Sequence, residues 1–354
     1  MRILQVMGAS AGGIRAHVGQ LAGALGAAGH RVVLAGPGAA LPRPAGMPRV
    51  DLAGAGTAGA FALARLMARA DVVHAHGLRA GALAAALARS LPRSNRPLVV
   101  VTLHNAPPGG RWVGVGAQLL GRLAALADRV LVVSSDLAPW IERLGAAPVE
   151  RALVPVGRVA QPACARDEVR RALGLEPGRP LLVTPARLAP QKGLDLLVGA
   201  AARLTRRDPA PLWVVAGEGP ERQRIEAAIA RTGAPVRLLG VRDDLPDLYQ
   251  AADLVVGTSR WEGQPIALRE AAVLGAAVVA TDVGGTGETL LGGALLTRPE
   301  AGALADGIGH LLDNPEEIAE LGLRARLAAA AFPAEPDMLA QAIRAYTPPP
   351  GAGS

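Results

Sequence analysis

The sequence predicts an α/β protein made of two doubly wound domains in tandem, each on a parallel sheet. Three observations predict it. Short β-rich runs alternate with longer Ala-, Leu- and Arg-rich helical patterns through the first half. The alternation breaks at 153–166, where Pro155, Gly157 and Pro162 punctuate an irregular stretch of interdomain-linker character. A second alternating series then begins.

In the first series, strands are expected at 3–7, 31–35, 71–73, 98–103 and 130–133. Each is a short, nearly continuous apolar run, the pattern of a strand covered on both faces. Helices are expected between them at 14–28, 58–68, 80–89, 115–127 and 136–144. The second series repeats the plan, with strands at 181–184, 212–215, 236–239, 254–256 and 277–280. Its helices fall at 193–203, 221–230, 244–250 and 266–274, and three more follow at 303–312, 316–330 and 336–345. The expected domains are therefore 1–157 and 158–333, with a helix at 334–346 packing back toward the first. The tail 347–354, Thr-Pro-Pro-Pro-Gly-Ala-Gly-Ser, has no ordered-structure signal. In doubly wound sheets ligands bind beyond the carboxyl ends of the strands. Two such domains facing each other would line one cleft.

The chain has 354 residues, enough for two domains with substantial cores. Hydrophobic residues make up 50% and charged residues 19%, which excludes a disordered chain. Aromatics are only 2%, so Ala, Leu and Val must fill the cores. The single Cys164 excludes an intramolecular disulfide and fits a reducing compartment; it lies in a loop without a histidine beside it, which argues against a nucleophile. Net charge is +7. A basic chain suits phosphorylated substrates, an anionic membrane or nucleic acid. Scattered arginines and scarce stacking aromatics disfavour nucleic acid. Mean hydropathy is +0.28, raised by alanine, yet no apolar run reaches the ~20 residues of a membrane span. The first residues read directly as a strand rather than a signal peptide, so a cytoplasmic protein is expected.

Arginine outnumbers lysine 36 to 1, since Lys+Arg is 37 and Lys192 is the one lysine. A chain that uses arginine wherever a generic cation suffices has kept a compact ammonium here, where a wide guanidinium fork would not fit. Lys192 follows a strand and opens a helix. Downstream, Glu262 sits in another strand-to-helix loop and Glu270 just inside the helix. Early in a helix, a glutamate suits the dipole. Glu262 has no such explanation, and carboxylates accept hydrogen bonds from vicinal sugar hydroxyls. The helix N-terminus between them offers free N–H groups to phosphate. The first strand runs into Gly8-Ala-Ser-Ala-Gly12-Gly13, which is neither a dinucleotide fingerprint nor a P-loop and reads equally well as a structural turn.

Arg187-x4-Lys192, Gly217-Glu-Gly-Pro220, Gly240-Val-x-Asp-Asp-Leu, Glu262-x7-Glu270 and Gly284-Gly285 resemble, in order and spacing, the retaining glycosyltransferases of family 4 with the GT-B fold. Gly12-Gly13-Ile14, Asp71-Val-Val-His74-Ala-His76 and Thr102-Leu-His104 fit the same family. The resemblance covers essentially the whole chain and implies a transferase that uses a nucleotide-diphosphate sugar. It implies that Arg187 and Lys192 bind the donor diphosphate, that Glu262 contacts the transferred sugar, that Glu270 holds the ribose and that His104 lies beside the reacting sugar. Gly263, Gln264, Pro265, Ile266 and Ala267 would present phosphate-binding backbone. Val241 and Arg242 would frame the base, Gly217 joins the donor-binding set, and Gly12 and Gly13 would close over the diphosphate. Two departures stand out. Gln264-Pro265 replaces the family's usual aromatic-Gly and removes a backbone donor, and Val156-Gly157-Arg158 replaces its Asn-Gly turn.

No Asp-x-Asp metal motif is present, so neither a metal nor another cofactor is expected. His74 and His76 form a potential metal pair with no further ligand cluster evident in the sequence, and His17 reads as a packed helix residue. Trp112, Arg111 and Arg122 flank the apolar helix at 113–127, either a core element or a peripheral membrane contact. The acceptor stays open between a membrane-associated lipid or envelope precursor and a small-molecule natural product. A sugar-nucleotide epimerase and a non-catalytic sugar-binding module are the rival functions.

Overall fold

The computed structural model describes residues 1–9, 12–52, 56–104, 111–146 and 148–348, with backbone only at 56, 57 and 111–113. The side chain of Trp112, part of the Gly8–Gly12 turn and the tail beyond 348 therefore lie outside the described residues. The chain divides into two compact units, Met1–Gly157 with Pro333–Ser354, and Arg158–Phe332.

The first unit holds seven strands: β1 (Arg2–Met7), β2 (Arg31–Gly36), β3 (Arg49–Asp51), β4 (Val72–His76), β5 (Leu98–Leu103), β6 (Arg129–Val132) and β7 (Val149–Arg151). Their order is β3-β2-β1-β4-β5-β6-β7, and every pairing is parallel. Its helices are α1 (Gly13–Ala27), α2 (Gly56–Met67), α3 (Leu78–Ser90), α4 (Arg111–Ala124) and α5 (Ala138–Glu142). The second unit holds β8 (Leu181–Pro185), β9 (Leu212–Ala216), β10 (Val236–Gly240), β11 (Leu254–Gly257), β12 (Val278–Thr281) and β13 (Ala294–Thr297), in the order β10-β9-β8-β11-β12-β13. These too are parallel. Its helices are α6 (Arg166–Ala172), α7 (Leu194–Leu204), α8 (Arg222–Thr232), α9 (Leu245–Ala251), α10 (Ile266–Val273), α11 (Thr286–Leu290), α12 (Ala301–Asp313) and α13 (Pro315–Ala329).

In both sheets the strand order reverses direction once, between β1 and β4 and between β8 and β11. Adjacent connections leave in opposite directions there and open a crevice at the carboxyl ends. Alternate strand residues build the two faces of the second sheet. Leu182, Val215, Val256 and Val279 pack with α7 and α12, whereas Val183, Val214, Val255 and Val278 pack with α9, α10 and α13. Trp213 is fully buried, and its indole N–H donates to Thr184 Oγ1 at 2.9 Å. Aspartates before the strands set the amino ends. Asp71, Asp128 and Asp253 accept the backbone N–H of Arg2, Val99 and Leu181, each at 2.7 Å.

The structure departs from the sequence expectation at β3, β7 and β13, which were not anticipated. All three are sheet edges of three or four residues. An edge strand needs only one partner and one covered face, so it carries little of the apolar signal. Strand β4 also runs to His76, beyond the expected end at 73.

The final helix, α14 (Glu335–Ala345), belongs to the first unit and packs on α1. Gln341, buried, accepts from Leu153 N at 2.7 Å and donates to Arg151 O at 2.8 Å. One amide thereby satisfies both backbone groups just past and within edge strand β7. Gln341→Ala leaves both without their partner and is expected to lower unfolding stability by about 1–3 kcal/mol. Urea unfolding of the full chain measures it, and a change under a few tenths of a kcal/mol would show that the edge does not depend on α14.

Candidate active site

The loops that leave β8 and β11 flank the reversal point of the second sheet, and they bring Lys192 to Glu262. Past β8 the chain passes Arg187 and forms a single 3-10 turn, Pro190–Lys192. Gly193 then takes a left-handed conformation, φ +59°, and a Cβ there would lie 2.1 Å from Thr258 O. Only glycine lets the two loops approach so closely. The loops are then stitched together. Thr258 Oγ1 donates to Lys192 O at 2.8 Å, Arg260 N donates to Gln191 O at 2.8 Å, and Gln191 Nε2 donates to Trp261 O at 3.0 Å. Lys192 Nζ meets Glu262 Oε2 at 2.5 Å, and the same oxygen accepts from Ser259 Oγ at 3.1 Å.

Glu262 is held from its other side by the loop after β12. Gly285 N donates to Glu262 O at 2.8 Å, and a Cβ on Gly284, φ +52°, would sit 2.2 Å from that oxygen. Thr281 Oγ1 donates to Ser259 O at 2.6 Å. The Gly284-Gly285 pair thus fixes the main chain of Glu262. Gly217 and Gly219 do the same beside Arg187, where Cβ atoms would lie 2.0 Å from Ala186 O and 2.3 Å from Leu188 O. Arg187 itself is exposed, with no side-chain partner among the described residues.

Pro265 stands just ahead of α10, so its missing N–H is outside the helical first turn, which Ile266 and Ala267 open. Gly263 is buried, and Gln264 accepts from Arg269 Nη1 at 3.3 Å. Arg269 is a fully buried cation stacked 4.6 Å over the Phe332 ring, a feature the sequence reading passed over. Glu270 is the next residue, one turn into α10, and partial burial raises its carboxyl pKa. The buried Tyr249 hydroxyl has no hydrogen-bond partner among the described residues; burial first, then the charge of Glu270, raises its pKa. Val241 is 77% exposed, and Arg242 is ion-paired with Asp244, Nε to Oδ1 at 2.7 Å.

In the first unit, Gly12 (φ +67°) precedes α1 and Gly13 opens it. His104 follows β5 and joins His17, His74 and His76 in one buried group. Burial pushes His17 down to about 4. Burial, followed by the neighbouring imidazole of His17, takes His74 to about 3. Burial, then neighbouring histidines, holds His76 and His104 well below their usual value. Gln5 and Tyr346 complete the group and were not anticipated, since the positions lie 341 residues apart.

Comparison with known proteins places this arrangement. Residues 165–330 match the family model for glycosyl transferases group 1, and residues 11–157 the model for Glycosyltransferase Family 4. A D-inositol 3-phosphate glycosyltransferase of Catenulispora acidiphila is 32% identical over 82% of this chain and 76% of its own length. The chain belongs to glycosyltransferase family 4. A D-inositol 3-phosphate glycosyltransferase of Nocardia farcinica is 35% identical, but the match spans only 60% of this chain and 51% of that protein. Anabaena HepE, solved with UDP and glucose, superposes with a TM-score of 0.80 at 20% identity, covering 97% and 98% of the two chains. Its likeness establishes the GT-B type of fold.

The histidine group has a pH consequence. Unfolded imidazoles take up protons near pH 6.5, whereas the buried ones resist until about 4 and below. Their depressed pKa values therefore favour the folded state fully above 6.5, and that stability is lost as pH falls toward 4. Urea midpoints measured from pH 7 to pH 4.5 are expected to decline steadily. A flat profile would mean the group is solvated.

Proposed function

We propose that this chain is a retaining glycosyltransferase that moves a sugar from a UDP- or GDP-sugar to an acceptor. The Lys192–Glu262 contact at the reversal point of the second sheet carries the reading. Cleaving a sugar–phosphate bond leaves negative charge on the departing diphosphate. Arg187, Lys192 and the first-turn N–H groups of α10, reached through Gly263–Ala267, are the groups suited to stabilise it. An ammonium has three N–H donors, so Lys192 can keep Glu262 and still reach phosphoryl oxygens. Glu262 then faces the sugar hydroxyls, and Glu270 takes the ribose. Val241 and Arg242 frame the base, Gly217 shapes the Arg187 loop, and Gly12, Gly13 and His104 keep the roles that the family resemblance implies. The UDP and glucose in the HepE structure support a nucleotide-sugar donor.

Glu262 Oε2 already accepts from Lys192 and Ser259, which suits an orienting carboxylate better than a covalent nucleophile. On this reading the acceptor hydroxyl oxygen bonds to the anomeric carbon on the face the diphosphate leaves. The carbon–oxygen bond to phosphate breaks, and the acceptor proton passes to a phosphate oxygen. Cationic side chains and backbone amides counter the leaving group's negative charge, so a divalent metal is not required.

The acceptor class we favour is a membrane-associated lipid or envelope precursor, met at the inner face of the membrane by a cytoplasmic protein. No helix among the described residues is long and apolar enough to cross a membrane. On α4, however, Val115 (62%) and Leu119 (61%) are exposed on the same face as Arg122, and Leu126 just past the helix end extends the stripe. An apolar stripe with a flanking cation suits an interfacial contact.

A panel of UDP-, GDP- and ADP-sugars, offered with membrane lipid extract or with inositol 3-phosphate, tests the function. Nucleotide release that requires an acceptor and survives excess EDTA is expected. Release without any acceptor would make the chain an epimerase or hydrolase; binding alone would make it a sugar-binding module. Loss in EDTA restored by Mg²⁺ would overturn the metal-free reading.

The two carboxylates should fail differently. Glu270→Ala is expected to weaken the bare nucleoside diphosphate by about 10- to 150-fold, the worth of a hydrogen bond to a charged group. Glu262→Ala should leave that affinity nearly intact while lowering turnover. Calorimetry with the bare nucleotide decides, and equal losses would require the roles to be reassigned.

A further inference from the structure

We infer that His17, His76 and His104 form a binding site for one borderline divalent transition-metal ion of the Zn²⁺ class, separate from the donor-diphosphate machinery. Each offers a ring nitrogen, and the three lie within 4.8 Å of one another. His76 Nδ1 and His104 Nε2 are 3.2 Å apart. Ligand nitrogens on a tetrahedral zinc, with Zn–N of about 2.0–2.1 Å, stand about 3.3 Å apart. This pair is therefore already at ligand spacing.

Hydrogen bonding fixes which nitrogen of His76 is available. Gln5 Nε2 donates to the Tyr346 hydroxyl at 3.1 Å, and that hydroxyl gives its one proton to His74 Nδ1 at 2.7 Å. His74 then donates from Nε2 to Thr102 Oγ1 at 2.7 Å. At the other end of the amide, Gln5 Oε1 accepts from His76 Nε2 at 2.6 Å. His76 consequently carries its proton on Nε2 and turns the Nδ1 lone pair toward His104. A ligating imidazole commonly donates its second N–H to a carbonyl or carboxylate in this way, which orients the ring and strengthens the ligand.

The second observation is independent of that chain. His17 Nδ1 is buried without a hydrogen-bond partner, on a residue only 4% exposed. A buried polar atom left unpaired is costly, and a metal ion coordinated through that nitrogen would satisfy it. His17 comes from α1, His76 from the end of β4 and His104 from the residue after β5, so three elements of one unit bring the rings together. The three imidazoles are neutral at pH 7, so only His104 need shift its proton, to Nδ1, to expose Nε2. Three nitrogens and no carboxylate select Zn²⁺ or Co²⁺ over Mg²⁺ or Ca²⁺. Binding there would also occupy His104, which the proposed function sets beside the reacting sugar; only that consequence rests on the proposed function.

The full chain without a histidine tag, stripped with chelator, is titrated with Co²⁺ and read by visible absorption. One equivalent should give intense low-symmetry d–d bands with no sulfur charge-transfer band, bleached by one equivalent of Zn²⁺ and unaffected by excess Mg²⁺. His17→Ala should weaken Co²⁺ binding by at least about tenfold, and so should His76→Ala. His310→Ala, which removes an exposed histidine beside Glu317, should change nothing. The wild-type spectrum stands even if a variant fails to fold. Absence of the bands in wild type, their persistence in folded His17→Ala, or their loss in His310→Ala would each overturn the site.

Discussion

The close approach of backbone to backbone at the carboxyl ends of the second sheet is the constraint on which the candidate site depends. Gly193 lies against Thr258 O, Gly217 against Ala186 O, Gly219 against Leu188 O and Gly284 against Glu262 O, each at a distance no Cβ could occupy. Loops that come this close share hydrogen bonds instead of water, and so their side chains are aimed before any ligand arrives. Lys192 and Glu262 meet because four loops have no room to place them elsewhere. The pair is half-buried, and removing its two charges from water offsets most of their attraction. What it contributes is orientation rather than stability.

The two units use the same reversal point for opposite electrostatics. In the second, charge is concentrated, with an ammonium, a paired carboxylate and a helix N-terminus around one crevice. In the first, burial keeps four histidines neutral, and a single chain of hydrogen bonds through Gln5 and Tyr346 decides which nitrogen His74 and His76 offer. Tyr346 reaches this group because α14 belongs to the first unit. The end of the chain thereby sets proton positions at the end of strands laid down near its beginning.

Much of the fold was legible because buried parallel strands announce themselves as apolar runs, and ten of the thirteen among the described residues were expected from them. The remaining three are the short edges, where one-sided burial erases the signal. Lys192 was legible from its rarity, and Glu262 and Glu270 from their spacing. The reason for the glycines was not. Gly284 reads in sequence as a turn, and only the fold shows that it presses on the carbonyl of Glu262. The histidine group was missed as a unit because its members come from α1, β4, β5 and the C-terminal segment. Contacts of that separation leave no periodic trace.

The proposed chemistry turns on Lys192, and the decisive measurement is the turnover of Lys192→Arg with a saturating nucleotide sugar. Charge is kept, but the planar fork cannot take the position of a compact ammonium held on Glu262 Oε2. A loss of about 100-fold in kcat, with the bare nucleotide still bound, is expected. Turnover within about threefold of wild type would show that any cation serves there, and that the pairing with Glu262 is incidental to the chemistry.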